Sequence, residues 1–198
     1  MKPSDPRLER WLEALVRTPG LTSIRRLDEA RRVHIDESLA ALPLVERFRG
    51  PIVDVGSGGG APGIPLAVVL PDREVTLLES NGRKCAFLRE AARDFPNVRV
   101  VQGRAEEQET DVFGVAAAKA LAQPPVALEW CLPLVREGGA AVLYVGPSAD
   151  LASLATVAKK LGGGAPEAAC GAVCVPKVEP TPPGFPRRPG IARKRPLA

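Results

Sequence analysis

The sequence predicts an α/β fold: a mostly parallel sheet with helices on both faces. Three observations carry that reading. Short apolar runs alternate with helical patterns from residue 52 to residue 161. A glycine-rich turn joins the first of those runs to a helix. A chain of 198 residues has room for one such sheet and a small appendage.

The elements follow in order. Leu8, Trp11, Leu12, Leu15 and Val16 fall at helical spacing, with Ser4 as the expected cap and Pro19-Gly20 as the stop. A second helix is expected from Asp28, its cap, through Val33, Ile35, Leu39, Leu42 and Val45, closed by Gly50-Pro51. Residues 1–50 therefore read as an N-terminal helical segment, and residues 51–198 as the core with a basic tail. Within the core, strands are expected at residues 52–55, 75–78, 98–101, 112–116, 140–145 and 172–175. Helices are expected from residues 62–65, from Asn81, over 120–135 with an early break at Pro124-Pro125, and over 151–161. Right-handed crossovers place the carboxyl ends of parallel strands along one edge, where such sheets bind ligands.

Composition narrows the function classes. The longest apolar runs, residues 64–70 and 140–146, are far shorter than the ~18–20 residues of a bilayer span. The first ten residues hold no apolar stretch of signal-peptide type, so a cytoplasmic protein is expected. Cys85, Cys131, Cys170 and Cys174 do not match zinc spacing, and His34 is the single histidine. No metal site is expected, and the cysteines read as reduced and buried. Net charge is +4. The end of the chain carries Lys177, Arg187, Arg188, Arg193, Lys194 and Arg195 against Glu179, which suits a polyanion.

The central motif is VDVGSGGGAPG, residues 53–63. Gly56 and Gly58 allow a tight turn and close approach of backbone to ligand. The segment also fits a looser dinucleotide pattern. Three features favour S-adenosylmethionine over NAD. Asp54 would repel a pyrophosphate but suits the charged methionine end of that cofactor. Glu79 ends the next strand, where a carboxylate accepts from both ribose hydroxyls. Residues 102–107, QGRAEE, place backbone and an acid beside an adenine. A loop cap or surface ion pair remains an alternative for Asp54 and Glu79.

DVGSGGGAPGIPLAVVLP, LLESNGRKCAFLREA and VVQGRAEE together resemble the bacterial 16S ribosomal RNA guanine-N7 methyltransferases, the glucose-inhibited division protein B family. HIDESLAALPLV, residues 34–45, and FPRRPGIARKRPL, residues 185–197, resemble two further blocks in the family's order. The resemblance implies a Rossmann-like class I methyltransferase fold and S-adenosylmethionine as cofactor. It implies cofactor contacts from Gly56, Gly58 and Ala61, ribose binding by Glu79, and adenine flanked by Ala105 and Glu106. Lys119 stands where the family has arginine in Ser-Arg-Ala, and would position substrate or cofactor carboxylate. Gly114 replaces an acid, and Val145 a lysine.

Methylation at N7 of guanine needs alignment and no general base, and no nucleophile–base pair stands out in the sequence. Cys131, in WCLP, reads as core. His34 is either a structural helix histidine or, by its match to the family segment, a cofactor or RNA contact. Arg187, Arg188, Arg193, Lys194 and Arg195 are the expected phosphate contacts, with 16S ribosomal RNA or the 30S subunit as partner and a monomer as the expected state. A small-molecule methyltransferase and a non-catalytic RNA-binding or assembly protein are the rival readings.

Overall fold

The computed structural model describes residues 5–146 and 149–198. The expected cap Ser4 lies outside them. Helix α1 (Pro6–Arg17) is capped instead by Asp5, whose carboxylate accepts from the Arg7 amide at 2.8 Å. Leu8, Trp11, Leu12 and Leu15 form its buried stripe. The expected second helix is divided. It opens after Arg26 and runs as α2 (Leu27–Arg31), a π-helical turn (Arg32–Asp36), α3 (Glu37–Ala40) and α4 (Leu42–Glu46). Asp28 sits inside the first turn and pairs with Arg26 at 2.6 Å. Pro43 cannot donate to a preceding turn, so the helix restarts there.

The alternation then holds: β1 (Ile52–Val55), α5 (Gly63–Val69), β2 (Val75–Glu79), α6 (Gly82–Ala92), β3 (Val98–Gln102), a 3-10 turn (Ala105–Glu107), β4 (Phe113–Lys119), α7 (Pro124–Cys131), a second 3-10 turn (Leu132–Leu134), β5 (Val135–Tyr144), α8 (Leu151–Lys160), β6 (Glu167–Ala169), β7 (Ala172–Pro176) and α9 (Ile191–Lys194). Asn81 caps α6, accepting from the Arg83 and Lys84 amides at 3.0 and 3.2 Å. Strand β4 runs three residues past its expected end. Ala116, Ala117 and Ala118 are small enough to lie buried in the sheet centre. The following helix starts only at Pro124, because two successive prolines suit a first turn and bias the residues before them away from helix. Edge strand β6 and helix α9 carry no apolar period and escaped the sequence reading.

The sheet order is β3-β2-β1-β4-β5-β7-β6. Strands β1 to β5 pair in parallel, while β7 runs antiparallel to β5 and β6 to β7. Side chains alternate between the faces, as the pleat demands. Ile52, Leu77 and Val115 join α1 to α6 in one core, whereas Val53, Ala116 and Val175 join α7, α8 and α9 in the other.

The C-terminal segment leaves the sheet through Lys177. Its side chain is buried, and the ammonium donates to the Leu132 and Leu161 carbonyls at 3.2 and 2.9 Å and to Thr181 Oγ1 at 2.7 Å. Lys177, counted with the basic tail in the sequence, is therefore an internal anchor, its charge facing Asp111 at 3.6 Å. Cys85, Cys131 and Cys174 are buried and free, but Cys170 is exposed in the turn between β6 and β7.

Candidate active site

Strand order reverses between β1 and β4, so their carboxyl ends splay and open a crevice. A cleft of about 220 Å³ lies at this edge, lined among others by Gly56, Leu78, Ala105, Glu106, Trp130 and Arg193. The turn after β1 forms its floor. Gly56 holds φ of +69°, a backbone conformation that strains any side chain, and a Cβ there would also stand 2.3 Å from Leu121 Cδ1 and displace that side chain.

Glu79 fixes this turn. One carboxylate oxygen accepts from the Gly58 amide at 3.0 Å, the other from the Asn81 amide at 2.8 Å. A carboxylate has about four acceptor positions, so two remain for hydroxyls. Asp54 lies beneath, 1% exposed. Its Oδ2 accepts from the Gly63 amide at 3.0 Å, and its Oδ1 has no partner among the described residues. Burial pushes its carboxyl up to about 7, against the pull of the Gly63 amide. Gly63 is required by proximity: a Cβ would meet Asp54 Oδ2 at 2.8 Å.

The C-terminal segment closes the other wall. The Gly190 amide donates to Glu106 at 3.2 Å, and the Arg193 guanidinium lies 5.1 Å from the centroid of the Trp130 ring. Glu129, buried on α7, accepts two bonds of 2.5 Å from Arg187.

At the end of β4, the Lys119 ammonium donates to the Val33 carbonyl and faces Glu37 at 3.2 Å. His34 sits on the π-helical turn with Nε2 3.2 Å from Thr22 Oγ1. Burial, and then the nearby Lys119 charge, hold its imidazole below the usual histidine range. The Tyr144 hydroxyl, at the end of β5, donates to the Ser38 carbonyl at 2.8 Å. These contacts fasten the divided N-terminal helix over the same edge.

A family model described as GidB, rRNA small subunit methyltransferase G, matches residues 6–160. The chain belongs to the GidB family. It is 35% identical to the ribosomal RNA small subunit methyltransferase G of Moorella thermoacetica, over 90% of this chain and 82% of that relative. It is also 35% identical to that of Thermotoga neapolitana, over 95% and 89%. Among solved structures, a T. thermophilus 16S rRNA N2 G1207 methyltransferase in complex with AdoMet and guanosine matches with a TM-score of 0.56 at 16% identity, covering 77% of this chain and 42% of that one. A mutant of MtNAS in complex with S-adenosylmethionine matches at 0.57 and 16%, covering 88% and 73%. The sheet of this GidB chain is thus the Rossmann-like class I methyltransferase fold.

Of the expected cofactor residues, Gly56, Ala105 and Glu106 line the cleft directly. Gly58 and Glu79 adjoin it through their mutual bond. Asp54 supports the turn from below, and Ala61 is half-buried on the side of α5. Lys119 faces the N-terminal helix instead of the cleft wall. Of the expected phosphate contacts, Arg187 is engaged by Glu129, and Arg188, Arg193, Lys194 and Arg195 are exposed. Trp130 was missed because its helix read as core throughout. Glu129 inside that apolar run was the available signal, since a buried acid needs a partner.

Proposed function

We propose that this chain is an S-adenosylmethionine-dependent methyltransferase that modifies N7 of a guanine in 16S ribosomal RNA, acting as a cytoplasmic monomer. The observation that carries the reading is the convergence of three groups on one cleft: the glycine turn, the Glu79 carboxylate bonded to Gly58, and the Ala105–Glu107 turn. Family membership supports the small-subunit RNA as substrate.

The residues present fit the cofactor. Glu79 retains acceptor positions for both ribose hydroxyls. Ala105 and Glu106 stand where the adenine would lie. The Trp130 indole Nε1 is buried at the cleft wall with no partner among the described residues, a donor suited to an acceptor on the ligand. The buried Asp54 carboxylate favours positive charge near the turn. Bound there, the cofactor would supply a methyl carbon activated by a sulfonium.

The chain's own task is alignment. Guanine N7 carries an in-plane lone pair and no proton, so no side chain has to act as base. The cleft walls fix the approach, at roughly 3–3.5 Å between reacting atoms. Arg188, Arg193, Lys194 and Arg195 hold the phosphates of the substrate, and Lys119 positions the edge of β4.

Incubation with labelled S-adenosylmethionine and 30S subunits lacking the modification, followed by mapping, tests this reading. Label on a guanine N7 of 16S RNA is expected. Label on another base, or none despite cofactor binding, overturns it.

A further inference from the structure

A second cavity, of about 460 Å³, lies beside the cleft. Its apolar walls are Ala122, Pro125, Val126 and Pro196, and its polar lining groups are Gln123 and Arg193. We propose that this pocket receives the target guanine, turned out of the RNA, and that Gln123 reads the base edge. The inference rests on the methyltransferase reading above and adds the place of the substrate base.

Four observations carry it. The first is continuity. Arg193 lines both this pocket and the cofactor cleft, and Ala122 of the pocket follows Leu121, which lines the cleft against Gly56, so the pocket adjoins the cleft at the glycine turn as well as at the Trp130 wall. Stacking on Trp130 holds that shared wall. The second is shape and chemistry. A flat base has two apolar faces and a polar rim, which match apolar walls with few convergent polar groups. The third is charge. Lys194 and Arg195, which follow Arg193 in the chain, are exposed beside the pocket wall, where the phosphates flanking an extruded nucleotide would run.

The fourth is Gln123 itself. It occupies the N-cap position of α7, yet its side chain makes no cap hydrogen bond. Pro124 and Pro125 have no N–H, which leaves the Val126 amide as the donor within a cap's reach, and the Gln123 side chain does not accept from it. The side-chain amide is thus not engaged at the cap, and Gln123 is exposed. A side-chain amide offers an acceptor and donors together. With N7 turned to the cofactor, the opposite edge of guanine presents N–H donors, and the Gln123 carbonyl is the acceptor for them.

The test uses the full chain, S-adenosylmethionine and 30S subunits lacking the modification. Gln123→Ala removes the acceptor, Gln123→Glu keeps it, and Ala122→Phe fills the pocket. Gln123→Ala is expected to lower kcat roughly tenfold, the scale of a lost base-edge bond, with subunit KM nearly unchanged because phosphates dominate binding. Gln123→Glu should restore most of the rate. Ala122→Phe should stop turnover while calorimetry shows wild-type affinity for S-adenosylmethionine and melting shows a folded protein.

Wild-type turnover in both Gln123→Ala and Ala122→Phe overturns the pocket and leaves the methyltransferase reading standing. Equal loss in Gln123→Ala and Gln123→Glu overturns the acceptor role. A wild-type chain that binds cofactor and subunits without turnover fails the underlying reading, and the pocket falls with it.

Discussion

Arg187 grips Glu129 through two bonds of 2.5 Å, one from Nε and one from a terminal nitrogen, with the Glu129 side chain only 3% exposed. This pair fastens the C-terminal segment onto α7 and so places Gly190 and Arg193 at the cleft. Removing one partner strands a buried charge, which costs more than the pair contributes. Arg187→Ala is expected to lower unfolding free energy by about 3–5 kcal/mol in urea titrations. The double replacement Glu129→Leu with Arg187→Met should recover much of that loss. Equal destabilisation in both would show that the charge is not the cause.

The Lys119 ammonium, bonded to the Val33 carbonyl, lies near enough to His34 to act on its imidazole. The imidazole lies below the usual histidine range, first through burial and then through the Lys119 charge. Lys119→Met should therefore raise the His34 pKa. Because the chain has a single histidine, one imidazole resonance followed through an NMR titration reads the change directly. A pKa that stays or falls would mean that the ammonium does not act on it.

Asp54 sets a pH dependence of definite sign. Its folded pKa is about 7, above the carboxylate value of 3.8. Between these values the folded state binds the extra proton, so stability falls as pH rises from about 4 to about 7 and is level above. The loss is on the order of a few kcal/mol. Asp54→Asn keeps an oxygen for the Gly63 amide and carries no titrating charge. Relative to wild type it should gain melting temperature progressively over that interval, and a constant difference across it would remove Asp54 as the cause.

The exposed cations of the tail predict a salt effect. Replacing Arg188, Lys194 and Arg195 with alanine should weaken binding to 16S RNA and reduce the slope of log affinity against log salt by about 2 to 3, one counterion per lost phosphate contact. Cofactor affinity should not change, because Arg193 and its stack on Trp130 are retained. An unaltered slope in filter binding would take these side chains off the RNA path.

The alternation of strands and helices, the glycine turn and Glu79 at the end of β2 were legible in the chain as written, whereas Ala105 and Glu106 were singled out by the family resemblance. Each of the first three is a local signal: a period of apolar residues, a turn that only glycine accommodates, an acid at a strand terminus. The division of the second helix and the extension of β4 to Lys119 belong instead to packing across the fold. There the docking of the helix on the sheet edge, and the burial of Ala116 to Ala118 at its centre, outweighed local propensity. Lys177, Arg187 and Lys119 each take a partner far off in the chain, Leu132, Glu129 and Val33, at 45, 58 and 86 residues. Which cation is an anchor and which is free to meet a phosphate depends on where the chain crosses itself, and residue type and spacing hold no record of that.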